Sequence, residues 1–212
     1  MTNPLNFEIP VEHWEYVWSK ELKGGILIRF AELTRKMLNK RLVKFFLRFR
    51  PKGNILEAGS GSGMGLVIFG KKGFEIVGID YSNNSIELAK KNFKKNNIKG
   101  ILVKANIKKI PFLDNTFSLV FNQGVIEHFS ISEATNILRE MKRVSNNLIA
   151  ISVPGNTRFY KIWVYFAGIF WKFPQEKLYT PQELISLFKK ASLLILEIKK
   201  IFGHYACIGK KY

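Results

Sequence analysis

From Ile26 to Phe49 the apolar residues return at helical spacing: Leu27, Phe30, Leu33, Met37, Leu38, Leu42, Phe45, Phe46 and Phe49. Pro51-Lys52-Gly53 stops that helix. Ahead of it, His13, Trp14, Tyr16 and Trp18 lie among charged residues and close on Gly24-Gly25, which predicts a short helix and a turn. Beyond residue 53 the pattern changes to short apolar runs alternating with amphipathic stretches. Strands are predicted at 54–58, 75–79, 100–104, 118–121 and 147–153, and helices at 64–71, 85–96 and 132–144, the last with Ser132 as N-cap. Such alternation predicts a parallel sheet with helices on both faces. Residues 156–173 are rich in aromatics and break the pattern. Thr180-Pro181-Gln182-Glu183 then starts a helix to about Ala191, with Thr180 as cap, Pro181 at the first position and Glu183 three residues on. Residues 193–200 read as a strand and 204–211 as a last one.

Length and composition narrow this picture. The chain has 212 residues, 47% of them hydrophobic, which predicts one domain with a sizeable core. Its organisation reads as residues 1–212 in a single domain, with a helical extension at 1–50 and an aromatic-rich lid at 156–179. No apolar run reaches the ~20 residues that span a bilayer, and the first ten residues lack a secretory layout. One cysteine, Cys207, rules out a disulfide framework and a cysteine-based metal site, and fits a reducing, cytoplasmic setting. Lys and Arg total 34 against 16 Asp and Glu, a net charge of +18. An anionic partner, nucleic acid or membrane surface, is one reading of that excess. A lysine-rich background is the other, and the scattered pairs (Lys71-Lys72, Lys90-Lys91, Lys199-Lys200) favour it.

Candidate chemistry begins at Ile55–Gly65, ILEAGSGSGMG, where a strand enters a glycine-rich turn and a helix. Such a turn makes a ligand site at the carboxyl end of a parallel sheet, and the helix amides favour a negative group. The dinucleotide pattern G-x-G-x-x-G fails, because Met64 or Leu66 stands at its sixth position. The glycines fall instead at 59, 61 and 63, behind Glu57.

This E-x-G-x-G-x-G spacing resembles the first motif of the class I S-adenosylmethionine-dependent methyltransferases. Val77–Ser82, Lys104-Ala105-Asn106 with Ile110–Phe112, and Gly124-Val125-Ile126-Glu127-His128 resemble the motifs that follow. Residues 149–154 and 180–191 are similar to the fifth strand and late helix of the small-molecule branch called type 11. The resemblance covers roughly residues 45–202. It implies an α/β, Rossmann-like three-layer αβα sandwich with a mixed, mostly parallel seven-stranded sheet, and S-adenosylmethionine as cofactor. Gly59, Gly61 and Gly63 would let the backbone approach the methionyl part, with Glu57 facing its ammonium. Asp80, about 20 residues on, would accept the ribose hydroxyls. Tyr81 would lie along the adenine, with Asn106, Ile107 and Gln123 completing the cofactor site. The family usually has an acidic residue where Asn106 stands, though an amide oxygen accepts the same hydrogen bond.

The reaction implied is methyl transfer to an apolar or aromatic small molecule, quinone- or lipid-like. Alignment lowers much of its barrier, and a base helps where the acceptor loses a proton. His128 is the candidate base and Glu127 a candidate ligand-orienting group; both could instead position the loop and the helix after it. Some quinone O-methyltransferases carry E-x-x-E-H here, proposed to hold a divalent cation; Gln123-Gly124-Val125-Ile126-Glu127-His128 lacks the first carboxylate, so no tightly held metal is expected. Tyr160, Trp163 and Phe166 of the aromatic insertion, with Tyr16 and Trp18, are candidate acceptor contacts. For the insertion, packing on the core or a dimer contact is the other reading, and a monomer or homodimer fits. With lysines nearby, the insertion could also rest on an anionic membrane. An RNA methyltransferase is disfavoured: Phe121-Asn122-Gln123-Gly124 is not the stretch used for amino-group methylation, and Cys207 is badly placed for attack on cytosine. A catalytically idle cofactor-binding module is a third reading.

Overall fold

The computed structural model describes residues 9–23, 25–157 and 176–211. Seven strands form one sheet: β1 (Ile55–Ala58), β2 (Ile76–Asp80), β3 (Ile101–Lys104), β4 (Phe117–Gln123), β5 (Ser145–Pro154), β6 (Leu193–Ile201) and β7 (His204–Lys211). Their order is β3-β2-β1-β4-β5-β7-β6. The first five run parallel, and β7 lies antiparallel between β5 and β6. This is the mixed, mostly parallel sheet the motifs imply. Among the described residues six α-helices accompany it: α1 (Val11–Lys23), α2 (Ile26–Leu47), α3 (Met64–Gly70), α4 (Asn83–Lys95), α5 (Ile131–Val144) and α6 (Pro181–Lys190).

Strands β1 and β2 are buried along their whole length, as inner strands of a parallel sheet are. Alternation along the strands sorts their side chains into two cores. Leu56, Ile79, Val120, Ile149 and Ile151 meet Ile137 and Leu138 of α5 and Leu184 and Phe188 of α6. Cys207 of β7 is buried in this layer. On the other face Ile55, Leu119, Phe121 and Leu148 meet Leu42 and Phe46 of α2, Leu66 and Phe69 of α3, and Phe93 of α4. So α3 and α4, which link β1 to β2 and β2 to β3, lie on one face, and α5, which links β4 to β5, lies on the other. Right-handed crossovers require this when the strand order reverses. The reversal falls between β1 and β4, and the carboxyl ends of the strands on either side of it are where open α/β sheets take their ligands, in the crevice at that switch point.

Two helix starts differ from the sequence expectation. α4 begins at Asn83 rather than residue 85, because the Ser82 hydroxyl accepts from the Ser85 amide at 3.2 Å. α5 is capped by Ser130 and not by Ser132. The Ser130 hydroxyl accepts from the Glu133 amide at 3.3 Å, and the Glu133 carboxylate accepts from the Ser130 amide at 3.1 Å. That reciprocal pair satisfies two otherwise orphaned donors, which no bond from Ser132 could do. α6 starts as its Thr180-Pro181-x-Glu183 box predicts.

Most of the aromatic insertion, residues 158–175, lies outside the described residues. Its two ends are described and meet. Gly155 bridges Tyr179, the Tyr179 amide donates to the Pro154 carbonyl and the Asn156 amide to the Tyr179 carbonyl, both at 2.9 Å. Among the described residues no helix is long and apolar enough to cross a membrane.

Candidate functional site

β1 delivers Glu57 and the glycine loop to the crevice. The Glu57 carboxyl is 4% exposed, and its Oε2 finds no hydrogen-bond partner among the described residues. Burial holds it well above the usual carboxylate range, the Leu66 amide opposes this, and the charge of Asp80 adds to it. Gly59, Gly61 and Gly63 all have positive φ. At Gly61 the requirement is double: φ is +49°, and a Cβ would lie 2.8 Å from the Trp18 ring. At Gly59 a Cβ would lie 2.7 Å from Val125, so the loops after β1 and β4 press together there.

β2 ends in Asp80, which is 6% exposed. Its Oδ2 accepts from the Gly61 amide at 2.8 Å and its Oδ1 from the Ser82 amide at 3.0 Å. Burial raises this carboxyl and those bonds oppose the rise. Tyr81 next to it is half-buried. Asn106, after β3, is exposed, and its side-chain oxygen accepts from the Lys108 amide at 2.9 Å. The oxygen that the resemblance assigns to adenine therefore already closes a local turn. Ile107 packs into the core. Gln123, half-buried at the end of β4, stands opposite Ser152 of β5.

After β4 the chain turns at Gly124 and forms a short 3-10 turn, Ile126–His128. It buries both candidate chemical groups. Glu127 is 1% exposed, with Oε2 unpartnered among the described residues. Burial, then the charge of Glu176, push its carboxyl well above the usual range. The Lys177 amide donates to the Glu127 carbonyl at 3.1 Å, so the end of the insertion is tied to this turn. His128 is pushed down to about 4 by burial and then by His13. Its Nδ1 is buried and unpartnered among the described residues, and Trp14 meets the ring edge-on at 4.9 Å.

The structure therefore sets Glu57, the three glycines, Asp80, Glu127 and His128 together at the carboxyl ends of β1, β2 and β4. Tyr16 is not among them: it is 57% exposed, with the Lys20 ammonium 4.5 Å over its ring. Two residues on from Trp14, it points to the opposite side of α1. Tyr160, Trp163 and Phe166 lie outside the described residues. Sequence reasoning missed Trp14 and Glu15. Trp14 and Trp18, four apart on one helix, were the available signal for a face turned to the crevice. Nothing local marked Glu15, whose carboxylate takes the Asn83 amide at 2.6 Å, the Asn84 amide at 3.0 Å and the Ser82 hydroxyl at 3.1 Å.

Residues 56–147 match a family model described as a methyltransferase domain. Over 145 residues the chain is 27% identical to the ubiquinone biosynthesis O-methyltransferase of Rickettsia akari, covering 68% of this chain and 56% of that one. It is 28% identical to the protein of the same name from Pelagibacter ubique, covering 91% and 82%. The chain spans about half the length of the first curated relatives it matches. Among solved structures it resembles magnesium protoporphyrin IX methyltransferase of Synechocystis PCC 6803 with bound SAH. The TM-score is 0.72, with 93% of this chain and 94% of that one covered, and at 11% identity the likeness concerns the fold.

Proposed function

We propose that this chain, whose residues 56–147 match a family model described as a methyltransferase domain, is a class I S-adenosylmethionine-dependent methyltransferase of the type 11 branch and moves a methyl group to an apolar, quinone- or lipid-like small molecule. One observation carries the donor half: two buried carboxyls, Glu57 and Asp80, flank a positive-φ glycine loop at the point where the strand order reverses. An unpartnered buried carboxylate oxygen is costly and suits a cationic ammonium. Asp80 retains lone pairs for ribose hydroxyls beside its two backbone bonds. The residues thus fit S-adenosylmethionine, which supplies a methyl group on a sulfonium for in-line displacement.

The chain's own contribution is alignment and the handling of a proton. His128 has a buried ring nitrogen with no partner among the described residues at the end of β4, and Glu127 beside it has a buried carboxyl oxygen in the same state, its neutral form favoured by burial. An acceptor hydroxyl placed between them would be oriented by one and deprotonated by the other. The aromatic insertion is proposed as the lid over that acceptor. Its ends join at Gly155 and Tyr179, and its exit strap is bound to Glu127. The names of the Rickettsia and Pelagibacter relatives support a quinone precursor as acceptor.

Calorimetry with S-adenosylhomocysteine tests the donor site. Asp80→Asn keeps an oxygen for one backbone amide and removes the charge. It should weaken binding about tenfold or more, the worth of a hydrogen bond to a charged group. Unchanged affinity in a variant with normal thermal unfolding overturns the assignment. Transfer of label from S-adenosyl-[methyl-3H]methionine to solvent-extractable phenols rather than to RNA tests the acceptor class.

A further inference from the structure

α1 is attached to the rest of the fold in an unusual way for a thirteen-residue helix. None of its residues is fully buried, so apolar packing holds it weakly. Its attachments are polar and aromatic. The Glu15 carboxylate spans the start of α4, taking the amides of Asn83 and Asn84 and the Ser82 hydroxyl, while the Asn84 side chain donates to the Glu15 carbonyl at 2.9 Å. A carboxylate at a helix start satisfies orphaned amides and the helix dipole together. Trp14 and Trp18, on one face, reach the two walls of the crevice: Trp14 meets His128 and Trp18 covers Gly61. At the other end, Arg35 of α2 pairs with Glu21 at 2.8 Å and lies over the Trp18 ring.

We propose that α1 is a gate on the donor site, in which Trp18 occupies the surface of Gly61 that the methionyl part of the donor needs and Glu15 latches the helix shut on α4. The inference rests on the donor reading above. A molecule that lies on Gly61 and reaches Asp80 has to cross the line from Trp18 to Glu15, because Asp80 precedes the latched residues 82–84 directly. The ring against Gly61 leaves no room for both. The pivot is at Gly25, with φ +149° and ψ 163°, a region open essentially to glycine alone. Gly24 precedes it in the sequence. A weakly packed helix beside a glycine pivot belongs to the low-stability end of a fold, the part that opens locally.

A gate scales apparent donor affinity by the fraction of time it stands open. Trp18→Ala should therefore tighten S-adenosylhomocysteine binding, by about fivefold or more in calorimetry. Weaker binding in this variant, with wild type still binding, would make Trp18 a donor contact and overturn the gate while leaving the donor reading intact. Absence of binding in both proteins would overturn the donor reading and the gate with it. The latch is read separately, without any ligand, by hydrogen exchange on the full chain. Glu15→Ala should raise exchange across residues 11–23 several-fold and leave the sheet unchanged, and exposed Glu12→Ala should change exchange in neither. Equal exchange in Glu15→Ala and wild type overturns the latch.

Discussion

His128 shows how far surroundings set the chemistry of a residue. As an ordinary imidazole it would titrate near neutrality; buried against Trp14 and beside His13, it is held down to about 4. A histidine whose folded value lies below its unfolded one is a source of stability above the unfolded value, lost as pH falls toward the folded one. The window here is about 6.5 to 4, and His204, also held near 4 by burial, shares it. NMR titration of the imidazole protons should find two histidines with midpoints near 4, and midpoints near 6.5 would overturn both environments. Some of this was legible in the residue string. E-x-G-x-G-x-G predicts a strand entering a glycine-rich turn, and the structure buries Glu57 on β1 and gives Gly59, Gly61 and Gly63 positive φ. That Gly61 needs its missing Cβ for Trp18, more than forty residues away in sequence, was not legible, because the contact depends on how α1 docks. The resemblance turns Asn106 toward a ligand, and its oxygen also accepts from the Lys108 amide two residues on, a local bond that Asn often makes.

Helix starts are where elements differ most from what their sequences suggest. Ser130 and Ser132 are both plausible caps before α5, and choosing between them depends on which serine has a glutamate three residues on. Ser130 has Glu133, and the reciprocal pair forms. Ser130→Ala should cost about 1 kcal/mol in chemical unfolding and Ser132→Ala less than about 0.5. Equal costs would mean the cap had been misplaced. All seven strands were legible in place, though not in their ends, because each carries an apolar run. β4 extends past its predicted end at Phe121 to Gln123, since polar Asn122 is paired in register with Ile151 and its side chain donates to the Ala58 carbonyl. Its pairing, not its hydropathy, makes it strand.

For the whole molecule, the outstanding quantity is charge. A net +18 on 212 residues repels itself in the compact state. Ion pairs such as Arg48–Glu197, Lys91–Glu87 and Lys108–Glu133 take up only part of it. Raising sodium chloride from about 10 to 150 mM, which shortens the Debye length from about 30 to 8 Å, should raise the thermal midpoint. A falling midpoint would mean that attractive pairs outweigh repulsion. The fold class was legible from strand–helix alternation and motif order. The docking of α1 was not, because a helix with no buried residue leaves little hydrophobic signature.

The position of Cys207 turns the protein into its own stability gauge. The chain's only thiol lies on β7, hydrogen-bonded to a strand on either side, wholly buried, with burial pushing its pKa up. A maleimide reaches that sulfur only when the antiparallel half of the sheet comes apart, and every opened molecule is recorded by one irreversible mark. Brief labelling across a urea series should therefore trace the unfolding curve even in a crude extract, whereas prompt labelling without denaturant would show that β7 opens on its own.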